Sequence, residues 1–598
     1  GSFSHAARRP CGTAGPAGEY KWDLSSYIQN DAEIDEIFKK MEKLTKILPK
    51  YSGKLQNPNI LYERLNNYKD DFIAIAKLAH FISHNLNTDS SNTKMLLLDQ
   101  KFNNLYAQMS EANSYFVPQL YELPEEYLKS LLANKKFSNY DNLIKEIIKL
   151  KPHKIDEKTN ELLSKMSNFL GNNENIHSII VDSEIKFDDA MDKTGKLKKV
   201  DNSTYPKYLR GNDAILRKNA FDSRMTAFSR LNKTFSELYL KDIEYDKFLS
   251  KLTNYSNLLE SVLLEDDIPK AVFDNIIKFT EKYIPLLQDY CKTRAKISKN
   301  KKFAYYDLFE DAKNNSKISL EQAKDMITNA LKPLGEEYLA NLNRKLNDNS
   351  IDYFPNENKN SGAYCSHCYG AKTVVLTNYL FNYNSVSTLC HELGHCINAE
   401  YFLHSQPYEK ADITIFAAEI ASTTNEILLN QYMLNHSKGK DRSYYLHHFL
   451  DDVRSTIFRQ IIFTEFELYA HQKIENNEPI TYEDLNNCYL NLNKKFYGKS
   501  LIIPEKLQYE WMCVPHFYSP YYVFTYATGL VTAIAIVDKI LSDSNFYKSY
   551  INFLKNGTNR PAVEVLKEIG IDLTSDQPYE TAFNFIKKQL ELYKSLNK

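Results

Sequence analysis

Glycine and proline are scarce in this chain, 17 and 19 of 598 residues, together about half the usual share. That shortage excludes collagen-like and linker-like chains and argues against a turn-rich β-sandwich or barrel. Few corners over so long a chain point to long helices. Cysteine is sparse too, at 8, which excludes a disulfide scaffold. Cys365, Cys368, Cys390 and Cys396 sit close together and are expected to be reduced, as in a cytoplasmic protein. Neither sign of charge is in excess, with 75 Lys+Arg against 76 Asp+Glu. Electrostatics therefore offer no reason to expect a nucleic-acid or membrane partner. Long hydrophobic runs are missing as well. The most apolar stretch, 527–537, is too short to span a bilayer and reads as a buried helix.

What is present suits a large globular core: 43% hydrophobic, 25% charged and 13% aromatic residues argue against disorder. Residues 1–19 read as an appended expression tail, and no secretory signal follows them. Residues 20–204 read as an N-terminal helical lobe. It has amphipathic runs at 31–48, 70–85 and 93–113, and ends in a small hairpin whose arms are 184–187 and 195–200. A boundary is expected near Thr204-Tyr205-Pro206, followed by a second domain, 205–598. There, Ile268-Pro269 opens a helix with Val272, Ile276, Phe279, Tyr283 and Leu287 on one face, its last turn bent by Pro285. Residues 320–346 are helical, with a break near Pro333-Leu-Gly335. Then the period shifts, and 362–369 and 373–379 read as two short strands around Gly370.

Just beyond those strands, residues 391–395 read His-Glu-Leu-Gly-His. On a helix, His391 and His395 leave the same face one turn apart, so two imidazoles can share one zinc ion. Glu392 points about 100° further round, within reach of an attacking water but not of the metal. Composition alone yields roughly 0.02 such matches in a chain like this one. A third ligand is still required. The metzincin pattern needs Gly at 398 and His at 401, and this chain has Asn398 and Tyr401. A carboxylate on a following helix is the other solution. Glu419 fits, because an acid among Phe416, Ala417, Ala418, Ile420 and Ala421 is costly to bury without a cation. Glu426, seven residues on, is expected to orient a liganding histidine. Cys365-Ser-His-Cys368 lacks a partner pair at zinc-finger spacing and reads as structural. Farther along, His516 and a stripe of Tyr518, Tyr522 and Tyr526 at four-residue spacing offer either core packing or donors for an oxyanion.

Taken together, these segments resemble the oligoendopeptidase F branch of the thimet-oligopeptidase family of zinc metallopeptidases. The matching pieces are Gly362-Ala-Tyr364, His391-Glu-Leu-Gly-His395, Glu419 to Glu426, and Pro515-His-Phe-Tyr518 with Tyr522 and Tyr526-Ala-Thr-Gly529. The resemblance covers about 400 residues. It implies a predominantly all-α fold, a two-lobed helical bowl enclosing a deep cleft, with a small sheet beside the zinc helix. It implies one Zn2+ per chain held by His391, His395 and Glu419. Glu392 would be the general base and acid for cleavage inside short peptides, and His516, Tyr522, Tyr518 or Tyr526 would stabilise the oxyanion. A shifted register would move the tyrosine role to Tyr521 and Phe524, but a phenylalanine donates no hydrogen bond. Gly362, Ala363 and Tyr364 would form a strand that receives substrate through main-chain hydrogen bonds. Two alternatives stay open: a related zinc exopeptidase, although the Gly-x-Met-Glu-Asn motif of zinc aminopeptidases is absent, and a catalytically silent peptide-binding scaffold.

Overall fold

The computed structural model describes residues 20–166, 172–312 and 316–598, so the expected tail at 1–19 lies outside the described residues. About 70% of the chain is helical, with a few short strands in small sheets. Two compact units divide it, and neither is a continuous run. The first comprises residues 1–154, 316–414 and 547–562, and the second comprises 155–315, 415–546 and 563–598. The break expected near Thr204 falls inside the second unit.

The first unit opens with helix Asp31–Ile47. Its N-cap Asn30 accepts the Glu33 amide, and Asp31 and Glu33 sit at the positive end of the helix dipole. Ile34, Ile37, Phe38, Met41 and Leu44 recur at three- and four-residue spacing and are buried. They pack with Ile75, Leu78 and Ile82 of helix Lys69–Thr88 and with Phe102 and Met109 of helix Thr93–Asn113. The same unit holds a three-stranded sheet. Strand Val374–Leu376 lies in the middle, parallel to Ile351–Asp352 and antiparallel to Tyr364–Ser366. The two strands read from sequence are there, turned about Gly370 at φ 72°. The third, Ile351–Asp352, was not anticipated because two residues carry no readable period. Lys359, buried against Asp352 at 2.6 Å, also donates to the carbonyls of Phe354 and Thr377 and ties these strands together.

After the sheet comes helix Tyr383–Ser405, which carries the paired histidines. Its N-cap Asn382 accepts the Ser385 amide. Its far half is held by a buried ion cluster. Glu400 meets Lys345 at 2.9 Å and Arg344 at 2.8 Å, both from helix Glu336–Asn347. Lys345 also donates to the Thr373 carbonyl at the start of the central strand. The expected break ahead of that helix is at Gly335, whose φ is 86°. A Cβ there would strike the Tyr547 ring at 2.4 Å, so only glycine fits.

In the second unit, the apolar helix Phe524–Ser542 is the centre. It is long and apolar enough to cross a membrane, and 72% of its apolar window is buried inside the fold. Helices Ile415–Asn435 and Gln577–Leu596 pack against it. Two local expectations are corrected. Pro285 does not bend one helix: Lys270–Lys282 ends, and Ile284–Ser298 begins with proline in its first turn, where no amide is needed. The hairpin strands are Ala190–Met191 and Leu197–Lys198, while 184 closes a helical turn. The Asp192 carboxylate accepts the Thr194 and Lys196 amides and sets the turn nearer the tip than the apolar pattern suggests.

Burial acts to raise the Glu400 pKa, but the charge of Lys345 and its hydrogen bonds outweigh it and hold the carboxyl at about 2, below its ordinary 4.5. The group is depressed, so its stabilisation is complete above about pH 4.5 and is lost as pH falls through about 2. Glu400→Gln leaves the buried Lys345 without its nearer carboxylate, Asp348 standing 3.9 Å away. It is expected to cost about 3 kcal/mol at pH 7 in urea unfolding and to flatten the stability loss across that acid window.

Candidate metal centre and neighbouring donors

His391 and His395 project from the same face of their helix, with ring centroids 4.8 Å apart at 80°. Their Nε2 atoms converge to 3.2 Å. Two nitrogens bound tetrahedrally at the usual Zn–N length would stand about 3.4 Å apart, so the pair is spaced to share an ion. One ligand atom from each of His391, His395 and Glu419 lies within 4.8 Å of the others, the one such group among the described residues. A His-His-carboxylate set is one that catalytic zinc sites use. Cys365-Ser-His-Cys368 forms no such group among those residues.

Glu392 is 7% exposed. Its charge is felt by Cys365 of strand Tyr364–Ser366, whose thiol is pushed up chiefly by burial, then by Cys396 and Glu392. The general-base candidate thus lies beside the strand expected to receive substrate. That strand is at the sheet edge. Its alternate residues reach back to helix Lys69–Thr88: the Tyr364 hydroxyl lies 3.0 Å from His84 Nδ1 and accepts from Asn87 at 2.9 Å, and Ser366 Oγ is 3.1 Å from His80 Nδ1. Gly362, just before it, has φ 90° and open space around it. Ala363 links the two.

Glu419 stands on helix Ile415–Asn435. The hydroxyl of Ser422, one turn on and fully buried, donates to Glu419 Oε2 at 3.0 Å. Sequence reading passed over Ser422, although a serine three residues after a candidate ligand can fix that carboxylate's rotamer. Glu426, on the same helix, acts on His448 and Asp452.

The expected tyrosine stripe is broken. Tyr518 ends the short turn Pro515–Tyr518, and the helix starts only at Phe524. Tyr518 packs on His177, with rings 4.9 Å apart, and on Tyr239. His516, Tyr522 and Tyr526 come together instead. The His516 ring is 6.1 Å from Tyr522 and 6.0 Å from Tyr526, and the two tyrosine rings are 5.3 Å apart. Tyr526 Oη lies 3.5 Å from His516 Nε2. Burial raises the Tyr526 pKa first, then its hydrogen bond and charge contact with Tyr522, then the charge of Glu419, so the hydroxyl stays protonated and able to donate. Burial lowers the His516 pKa below 6.5, which favours the neutral ring. Tyr521 and Phe524 of the alternative register are buried, with rings 5.9 and 5.0 Å from Phe273.

Comparison with known proteins places the chain in a family. The model of peptidase family M3 matches residues 208–585, and that of oligopeptidase F matches 119–187. Oligopeptidase PepF of Bacillus subtilis is 34% identical over 580 residues, spanning 96% of this chain and 86% of the relative. An oligoendopeptidase F homolog of Borreliella burgdorferi is 30% identical, spanning 96% and 98%. Among solved structures, oligoendopeptidase-F from Enterococcus faecium superposes with a TM-score of 0.72 at 27% identity, covering 95% of this chain and 99% of that one. A Chlamydophila abortus crystal structure reaches 0.92 at 29% identity, covering 97% and 99%. The chain belongs to peptidase family M3, in its oligoendopeptidase F branch, and is a metallo-oligopeptidase.

Proposed function

We propose that the chain is a zinc endopeptidase that cuts internal bonds of short, unfolded peptides in the cytoplasm. The observation that supports it best is the convergence of His391 and His395 with Glu419, in a chain of this family. These three would hold one zinc ion, which when bound supplies a Lewis acid and makes an attacking water acidic near neutral pH. Glu392 would accept a proton from the attacking water and return it to the leaving amine. His516, Tyr522 and Tyr526 donate hydrogen bonds to the oxyanion. Tyr518, packed among buried rings, holds the shape of the His516 turn. Gly362, Ala363 and Tyr364 present main-chain groups at a sheet edge, so substrate is read through its backbone, with broad tolerance of side chains.

Other parts of the chain take lesser roles. The match beginning at 208 supports a catalytic portion from about 205, preceded by a helical N-terminal portion, 20–204. None of the seven described cysteines is in a disulfide, which suits a reducing compartment. Glu426, seven residues beyond Glu419 on the same helix, would orient a liganding histidine.

Three outcomes are expected. Glu392→Gln folds and retains zinc by elemental analysis, yet loses about 10²-fold or more in kcat; undiminished turnover would contradict its role. A peptide blocked at both ends is cut internally, as read by mass spectrometry of the fragments, whereas an exopeptidase leaves it whole and a silent scaffold cuts nothing. Ser422→Ala frees the Glu419 rotamer and weakens zinc binding about tenfold in a chelator competition, with little change in melting temperature.

A further inference from the structure

Between His516 and Tyr526 the chain makes a succession of turns. The Ser519 amide donates to the His516 carbonyl at 2.9 Å, the Tyr522 amide to Ser519 at 3.2 Å, and the Tyr526 amide to Val523 at 3.3 Å. Within this run Tyr521 has φ 54°, in the left-handed region. A bulky side chain is rarely found there, and it persists only where surroundings over-determine it. Its own amide is turned inward and cannot join the turn series. A buried carboxyl meets it: Glu467, on helix Arg459–Glu475 and 0% exposed, accepts the Tyr521 amide on Oε1 at 3.0 Å. The Tyr521 ring is clamped against His471 at 5.0 Å and Phe273 at 5.9 Å.

We infer that Glu467 is a positioning residue for the oxyanion donors: by accepting the Tyr521 amide it holds the left-handed kink that turns Tyr521 and Phe524 inward and leaves Tyr522 and Tyr526 facing His516. The inference rests on the reading of those three as oxyanion donors. Other features of the site agree with it. Nothing else in the mechanism uses Glu467, and its Oε2 has no hydrogen-bond partner among the described residues. Burial raises its pKa well above 4.5, which favours the neutral carboxyl, and glutamine is a near-isostere of that form. An ionised acid would have been the costlier way to supply one acceptor in so dry a place. Leucine at 467 would leave the Tyr521 amide buried without an acceptor, and the kink would relax toward ordinary backbone.

The test compares Glu467→Leu and Glu467→Gln on a quenched-fluorescent peptide blocked at both ends. Glu467→Leu should lower kcat about tenfold or more while KM stays within about twofold, since the donors act on the transition state. Glu467→Gln should restore kcat. Tyr522→Phe should cost activity in the native background and almost none in Glu467→Leu, because both changes remove the same contact. A folded Glu467→Leu enzyme with native kcat, or losses from the two changes that multiply, would overturn the inference. If the leucine variant does not fold, Glu467→Asp retracts the carboxyl by one methylene and should show the same pattern in milder form. Amide hydrogen exchange across 516–526 needs no turnover. It should speed up in Glu467→Leu but not in Glu467→Gln, and equal exchange in both would overturn the inference. Failure of the native protein to cut any blocked peptide would instead overturn the endopeptidase reading and leave the exchange result standing.

Discussion

Two imidazole nitrogens 3.2 Å apart on one half-buried helix face are the constraint around which this molecule is organised. Lone pairs aimed at the same point repel unless a proton or a metal lies between them, and a Glu419 oxygen lies within 4.8 Å of the pair. The four-residue spacing of a helix creates that convergence without any loop to be ordered. The precision therefore depends on how firmly the helix itself is held. Asn382 caps its start, and Glu400, locked between Lys345 and Arg344, secures its far half. A rotation of the helix would move both nitrogens at once.

The second set of groups is built differently. His516, Tyr522 and Tyr526 do not share a helix face. They meet because the chain turns, kinks at Tyr521 and only then becomes helical. Rings at 521 and 524 pack into the core against Phe273 and His471, and His516, Tyr522 and Tyr526 are left outside it. Burial also sets the chemistry. It keeps the Tyr526 hydroxyl protonated and the His516 ring neutral, so both can offer a hydrogen bond near neutral pH.

Much of this was legible in the sequence because short-range spacing carries it. The histidine pair, the acid among alanines at 419, the long amphipathic helices and the two strands around Gly370 follow from periods of 3.6 and 2. What was missed depends on partners distant in sequence. Tyr518, Tyr522 and Tyr526 look like one stripe only if the backbone is helical throughout, and the left-handed residue at 521 breaks it. Glu467 is 54 residues from the amide it accepts, and strand Ile351–Asp352 is defined wholly by its neighbour. Likewise the two units interleave three segments each, and such threading leaves no mark in composition.

The central claim is that His391, His395 and Glu419 hold a single zinc ion that is required for peptide cleavage. Anomalous scattering at the zinc edge from crystals of the active enzyme tests it most directly. The account predicts one peak per chain, about 2.0–2.2 Å from an Nε2 of each histidine and from a Glu419 oxygen. A zinc peak bound elsewhere, or an active crystal with no metal at these three residues, would contradict it.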